Sequence, residues 1–337
     1  MRILFSPCAG RGARSHVVAL LALARRLDAT AHDAAFLLPS TLHRLFKPIC
    51  NVLDIHYVED TALRNEMAAI KRFRADVVVD DLSMTAIMST KLSRKPRIAV
   101  QRTGVFAGAT PRNPRHRHSC QTYFDDLYKG FELVLGNDTP ATMADACAAD
   151  LKIIPGIPSV EVLPRALVGD PTYVFAGALV VGDEVYAHAD MRARGVSIDS
   201  VDRFLDAHLD RPLVYVTMGH IANGGTVLRR MIADMIDTGA AVISNVDVPE
   251  LTASQREVFY FAPVLPMHTI CSRVTLMVQH CGSGTYQYSI LHAVPSICIG
   301  TGCYDRDDVA ARLHELGAAE YIAAPAEHDD FAAAFRS

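Results

Sequence analysis

Short apolar runs alternate with amphipathic stretches along nearly all of this 337-residue chain, and that alternation restricts the fold more than any other feature. RILFS (2–6), DAAFLL (33–38), NVLDIHYV (51–58), ADVVVD (75–80), RIAVQ (97–101), ELVLG (132–136) and LKIIP (151–155) have the length and character of buried strands. Between them, residues 16–27, 59–73, 83–93 and 138–149 space their apolar side chains as helices do. The pattern restarts with PLVYVTMG (212–219), GAAVISN (239–245), REVFYFA (256–262), RVTLMVQH (273–280), SICIG (296–300) and AAEYIAA (318–324), separated by helical stretches at 225–237, 284–293 and 305–316. Strands that follow one another through helices are parallel, because parallel neighbours need a long crossover. Two such series predict an α/β chain of two Rossmann-like domains, each a parallel sheet covered by helices. The length suits two domains of about 150 residues. A more polar, glycine-bearing stretch sets the seam, giving a first domain over 1–178, a linker over 179–198 and a second domain over 199–337.

Composition excludes several classes of function. Net charge is −4 with both signs interspersed, which argues against a nucleic-acid binder. The first residues run from a short strand straight into arginines, a pattern unlike a signal peptide. The apolar run at 17–24 is far short of the ~20 residues of a membrane span. Eight cysteines form no CxxC pair, so reduced thiols in a cytoplasmic protein are expected, without a structural zinc. The basic loop PRNPRHRHS (111–119) is the main charge anomaly. It reads as a solvated loop, a lid, or a contact for an acidic acceptor or an anionic membrane surface.

The most informative stretch is HCGSGTYQYSILHAVP (280–295), which joins an apolar strand to a helix. Such a turn lies at the carboxyl edge of a parallel sheet, where these folds bind ligands. Gly282 and Gly284 let a ligand approach the backbone, Ser283 and Thr285 add hydroxyls, and the helix N-terminus favours an anion such as a diphosphate. A capped helix with a core histidine fits the same residues. No lysine follows the glycines as in a P-loop, and GRG (10–12) does not complete the dinucleotide fingerprint.

The stretch VQHCGSGTYQYSILHAVPSICIGTGCYDRDDVAARLHELGAA (278–319) resembles the donor-binding signature of GT-B nucleotide-sugar-dependent glycosyltransferases of the natural-product and UDP-glycosyltransferase type. Residues 205–223 are similar to that family's opening of the second domain, SHVVALLALARRL (15–27) to its first helix, and ADVVVDD (75–81) to an N-domain strand. The resemblance implies a GT-B fold, two Rossmann-like domains facing across a cleft. It implies an inverting, metal-independent glycosyltransferase that moves a sugar from a nucleoside-diphosphate sugar to a hydroxyl of a small-molecule acceptor in specialised metabolism. The nucleotide sugar, with UDP or dTDP, is a co-substrate and no cofactor is implied. By the same resemblance the donor diphosphate falls on Gly219, His280, Gly282, Ser283, Gly284 and Thr285. His16 becomes the general base, Asp81 its orienting carboxylate with Asp80 as rival, and Asp305 a partner for sugar hydroxyls. Asp81 also reads as the N-cap of the following helix.

Three positions of the donor half depart from the family, and on the acceptor side Ser15 stands where the family has a glycine before the histidine. Val264 stands where an aromatic residue stacks on the base, so ring stacking would have to come from Phe261 or Tyr260. Tyr288 replaces the acid that holds ribose hydroxyls, and Arg306 follows Asp305 where a glutamine is usual. Arg306 suits a carboxylate or phosphate on the donor sugar; it equally suits an ion pair with Asp307 or Asp308. A nucleotide-sugar hydrolase or epimerase, and a non-catalytic auxiliary partner of a transferase, are the alternative functions. A homodimer or an auxiliary protein is compatible with the sequence.

Overall fold

The computed structural model describes residues 1–8, 13–27, 29–57, 61–109, 119–219, 225–323 and 328–336. The GRG segment and nearly all of the basic loop lie outside the described residues. Two compact units emerge, Met1–Val181 and Gly182–Ser337. The stretch expected as a linker carries helix Ala187–Ala193, within the second unit.

The first unit carries strands β1 (Arg2–Pro7), β2 (Asp33–Phe36), β3 (Val77–Asp81), β4 (Arg97–Val100), β5 (Leu151–Pro155) and β6 (Tyr173–Gly177). They pair in the order β2-β1-β3-β4-β5-β6, every pairing parallel. Helices Ala13–Ala24, Ala62–Phe73 and Met84–Ser93 make the first crossovers. Leu4, Leu37, Ile70 and Val78 pack in one core cluster, and Met84, Ile87, Phe124 and Phe131 in another.

The second unit carries β7 (Leu213–Thr217), β8 (Ala241–Ser244), β9 (Phe259–Phe261), β10 (Leu276–Gln279), β11 (Ser296–Ile299) and β12 (Ala319–Ile322). Their order is β12-β11-β10-β7-β8-β9, again all parallel. Counted within the unit this is 3-2-1-4-5-6, the doubly wound Rossmann order. Helix Gly225–Asp237 buries Met231, Ile232 and Met235 against Val214, Val242 and Val278, and Phe331 of the last helix joins them. Among the described residues, no helix is long and apolar enough to cross a membrane.

Two expected strands are corrected. Residues 132–135 belong to helix Ser119–Leu135, and Gly136 opens the 3-10 turn Gly136–Asp138 that follows. Phe124 and Phe131 are seven apart, two helical turns, and both are fully buried, so the longer period decides over the short apolar run. Residues 51–57 are irregular, with a single bridge from Val52 to Phe36. Tyr57 is buried and Leu53 and Ile55 pack on the core without a ladder. The helix expected over 138–149 shrinks to Met143–Ala146, opened by a capping box of Thr142 and Asp145. Strand β6 was not expected; it is an edge strand with Val174 exposed, and so lacks a buried run to betray it.

Candidate functional site

In a doubly wound sheet, ligands bind beyond the carboxyl ends of the strands where the strand order reverses. In the first unit that point lies between β1 and β3, and in the second between β7 and β10. Each is occupied by residues singled out in the sequence.

At the first, Pro7 of β1 pairs in register with Asp81 of β3, and the Cys8 amide donates to the Asp81 carbonyl at 3.0 Å. The Asp81 side chain is fully buried. Its Oδ1 lies 3.0 Å from His16 Nδ1, at ion-pair distance without hydrogen-bond alignment, in the first turn of helix Ala13–Ala24. Its Oδ2 accepts from Arg102 Nη2 at 2.8 Å. Burial acts to raise the Asp81 carboxyl, but the charges of Arg102 and His16 outweigh it and hold the group below the usual carboxylate range. With Nδ1 turned to the carboxylate, Nε2 is the imidazole nitrogen on the far side from Asp81, and the side chain is 14% exposed.

Asp80 does a different job. Side chains alternate along a strand, and Asp80 takes Arg97 bidentately, Nε to Oδ1 at 2.7 Å and Nη2 to Oδ2 at 3.1 Å. Arg97 also donates to the Ala146 and Ala148 carbonyls at 3.0 and 3.3 Å. Asp81 does not cap the following helix; Ser83 is the N-cap, its hydroxyl accepting from the Ala86 amide.

Behind this layer lies a third acid. Glu66 is fully buried, accepts a hydrogen bond from the Ser6 hydroxyl, and is pushed up to about 7 by burial. A carboxyl raised on folding binds more protons in the native than in the unfolded chain. Stability therefore falls as pH rises from the ordinary carboxyl range to about 7, and stays lowered above it. At 1.36 kcal/mol per unit the loss is on the order of 3 kcal/mol. Glu66→Gln is accordingly expected to stabilise the protein more at pH 8 than at pH 5, by roughly 2–3 kcal/mol in urea unfolding. Equal effects at both pH values would refute a titrating Glu66.

The second reversal point is built around His280. It follows β10, is 5% exposed, and sits between two glycines. A Cβ on Gly219, just past β7, would come within 2.7 Å of its Cε1, and a Cβ on Gly282 within 2.5 Å of its Nε2. Gly219 has φ +57°, accepts from Asn245 Nδ2 at 3.3 Å through its carbonyl, and donates its amide to Thr217 Oγ1 at 3.3 Å. Cys281 takes the left-handed conformation at φ +54° and turns its thiol inward to Cys298 of β11, Sγ to Sγ 2.9 Å. Burial holds the Cys281 thiol well above its ordinary range.

Helix Ser283–Leu291 then begins with Gly282 as N-cap and no side-chain cap. A Cβ added to Gly284 would meet nothing within 4 Å, so the space over this first turn is open. The glycine is not demanded by packing. Gly284→Ala is therefore expected to stabilise the fold by about 0.4–1 kcal/mol through the unfolded chain. A loss of thermal stability would contradict that open space.

The remaining donor-side residues divide. Asp305 stands half-buried in the first turn of helix Tyr304–Glu315. Asp307 is spent on the Thr301 and Gly302 amides at 2.9 and 3.0 Å, while Arg306 reaches Cys303 Sγ at 3.7 Å. Tyr288 is 8% exposed, packs edge-on against His268 at 4.8 Å, and burial pushes its phenol up. Val264 is half-buried. Of its two candidate substitutes, Tyr260 is taken up by the Ser200 hydroxyl at 2.6 Å and the Phe204 ring, whereas Phe261 remains 42% exposed at the end of β9. Among the described residues no group of three or more His, Cys, Asp or Glu side chains is placed to hold a metal ion.

Sequence reasoning missed Arg102 and Asn245. Both follow the carboxyl end of a strand, β4 and β8, and that position is the signal that could have found them.

No family model matches the chain, and no curated protein does. Solved structures match along its whole length. The kitacinnamycin glycosyltransferase superimposes with a TM-score of 0.70 at 17% identity, over 99% of this chain and 89% of that one. The spinosyn forosaminyltransferase SpnP gives 0.70 at 17%, over 100% and 89%. The spinosyn rhamnosyltransferase SpnG, solved with thymidine diphosphate, gives 0.68 at 15%, over 100% and 91%. The chain has the GT-B fold. In GT-B terms, His16, Asp81 and Arg102 lie on the N-terminal unit, and the His280 turn with its open helix end on the C-terminal unit.

Proposed function

We propose that this protein is an inverting, metal-independent glycosyltransferase, moving a sugar from a nucleoside-diphosphate donor to a hydroxyl of a small-molecule acceptor in natural-product metabolism. The observation that carries the reading is the uncapped helix end over Gly284, at the strand reversal beside His280. Such an end offers amide donors and a positive dipole to a diphosphate. Support comes from the GT-B neighbours, of which SpnG was solved with thymidine diphosphate and VinC with dTDP. UDP or dTDP is the nucleotide proposed here, with Phe261 as the ring against its base and Asp305 on the sugar hydroxyls.

Each residue then has a task. His16 Nε2 takes the proton of the acceptor hydroxyl as its oxygen bonds to the anomeric carbon. The bond from that carbon to the diphosphate breaks on the opposite face, and its electron pair leaves with the nucleoside diphosphate. Amides of Ser283 and Gly284, with the Ser283 and Thr285 hydroxyls, stabilise the charge gathering there; the Thr285 amide is already held by the Gly282 carbonyl at 2.7 Å. Asp81 holds the imidazole and stabilises its cationic form. The products are the glycosylated acceptor, the nucleoside diphosphate and one proton.

The test is incubation with UDP- and dTDP-sugars, with and without a panel of hydroxyl-bearing acceptors, followed by mass spectrometry. Glycosylated acceptor in equal amount to released diphosphate is expected. Free sugar formed at the same rate without acceptor would make the protein a hydrolase, and intact donor throughout would place it among non-catalytic partners.

A further inference from the structure

We infer that Arg102 is a positioning residue: by taking one oxygen of Asp81 it leaves His16, on the other oxygen, in the neutral form that can accept a proton. The inference rests on the reading of His16 as the base of the proposed transfer.

The geometry is a shared carboxylate. Asp81 is fully buried and meets one nitrogen-bearing side chain on each oxygen, the Arg102 guanidinium at 2.8 Å on Oδ2 and the His16 ring at 3.0 Å on Oδ1. Arg102 comes from a different element, two residues beyond β4, whose Val100 pairs with Asp81. Its side chain is 14% exposed. The neighbouring acid, Asp80, uses its arginine in the opposite way: Arg97 occupies both of its oxygens. Two adjacent carboxylates on one strand thus carry one arginine each, and only Asp81 has an oxygen left for an imidazole.

The chemical consequence follows from the difference between the two side chains. A desolvated carboxylate needs a counter-charge. With the imidazole as its sole partner, the carboxylate would favour the imidazolium over the neutral ring, and an imidazolium cannot act as a base. Arginine stays charged at every working pH. Arg102 therefore neutralises Asp81 without asking for the His16 proton. The carboxylate stays ionised in both protonation states of the ring, which agrees with its place below the usual range. It still orients Nδ1 and meets the imidazolium when that forms during transfer. Among the described residues, the charged groups placed against the pair are Arg102 from beyond β4 and, along β3, Asp80, itself met by Arg97.

The experiment is nitrogen NMR of the His16 imidazole across pH, on the full chain, in wild type, Arg102→Met, Arg102→Gln and Arg102→Lys. Losing the fixed positive charge beside the ring is expected to move the His16 titration midpoint upward by about one pH unit or more in the Met and Gln variants. Arg102→Lys, which keeps a point charge, is expected to stay within about 0.3 unit of wild type. The acid limb of kcat/KM should move upward with the midpoint, while KM for the donor is unchanged. Should Arg102→Met not fold, Arg102→Gln retains donors for Asp81 and is read in the same way. An unmoved midpoint in the neutral variants overturns the inference and leaves Arg102 as a prop. If the midpoint moves but His16→Ala transfers sugar at the wild-type rate, the charge sharing stands and the general-base reading falls.

Discussion

His16→Ala is expected to lower kcat by about 10²- to 10⁴-fold, the usual worth of a positioned general base, and to leave donor affinity within about twofold. The imidazole belongs to the first unit, whereas every residue proposed to hold the donor belongs to the second. A change confined to His16 therefore removes the proposed proton acceptor without touching the turn at 280–285. The fold should survive as well, because the ring is partly exposed and Asp81 keeps Arg102 as its counter-charge. With an acceptor that wild type glycosylates, a rate within tenfold of wild type would show that another group collects the proton.

Arg97→Met is expected to destabilise the protein by about 3–5 kcal/mol, the range for stripping one partner from a buried ion pair. Asp80 would be left fully buried with neither oxygen's guanidinium partner, and the Ala146 and Ala148 carbonyls would lose a donor. For a unit of this size that corresponds to a melting temperature lower by roughly 10 °C. The sign with pH can be worked out. Burial already pushes Asp80 up against the pull of Arg97, so without Arg97 protonation is the cheapest escape. The loss should be smaller at pH 5 than at pH 8, and Asp80→Asn combined with Arg97→Met should recover part of it through coupling. Unfolding curves that match wild type at pH 8 would mean that the pair contributes nothing to the fold.

The strand–helix rhythm made the two parallel sheets legible, because parallel strands leave continuous apolar runs that period and length can find. It failed where the period was judged over too short a window, as at 132–136, or where an edge strand had little to bury, as at β6. The candidate site was legible to the extent that glycines and helix starts mark it: His280, Gly282, Ser283, Gly284 and Thr285 stand in one turn because they fall within six residues of chain. Gly219 stands against His280 because β7 and β10 are neighbours, which the strand order dictates and the linear chain does not display. The same holds for Asp81 and Arg102, 21 residues apart and joined only by pairing of β3 with β4. Choosing between Asp80 and Asp81 as the neighbour of His16 needed the pleat, which turns one toward Arg97 and the other toward the imidazole.

The most direct measurement is a calorimetric titration of UDP and dTDP into wild type and Gly284→Ala. Wild type is expected to bind at least one of the two. The variant, slightly more stable yet carrying a methyl group in the space proposed for phosphate oxygens, is expected to bind at least tenfold more weakly, about 1.4 kcal/mol. No heat from either nucleotide, or equal affinity in both proteins, would contradict a diphosphate seated on that helix end.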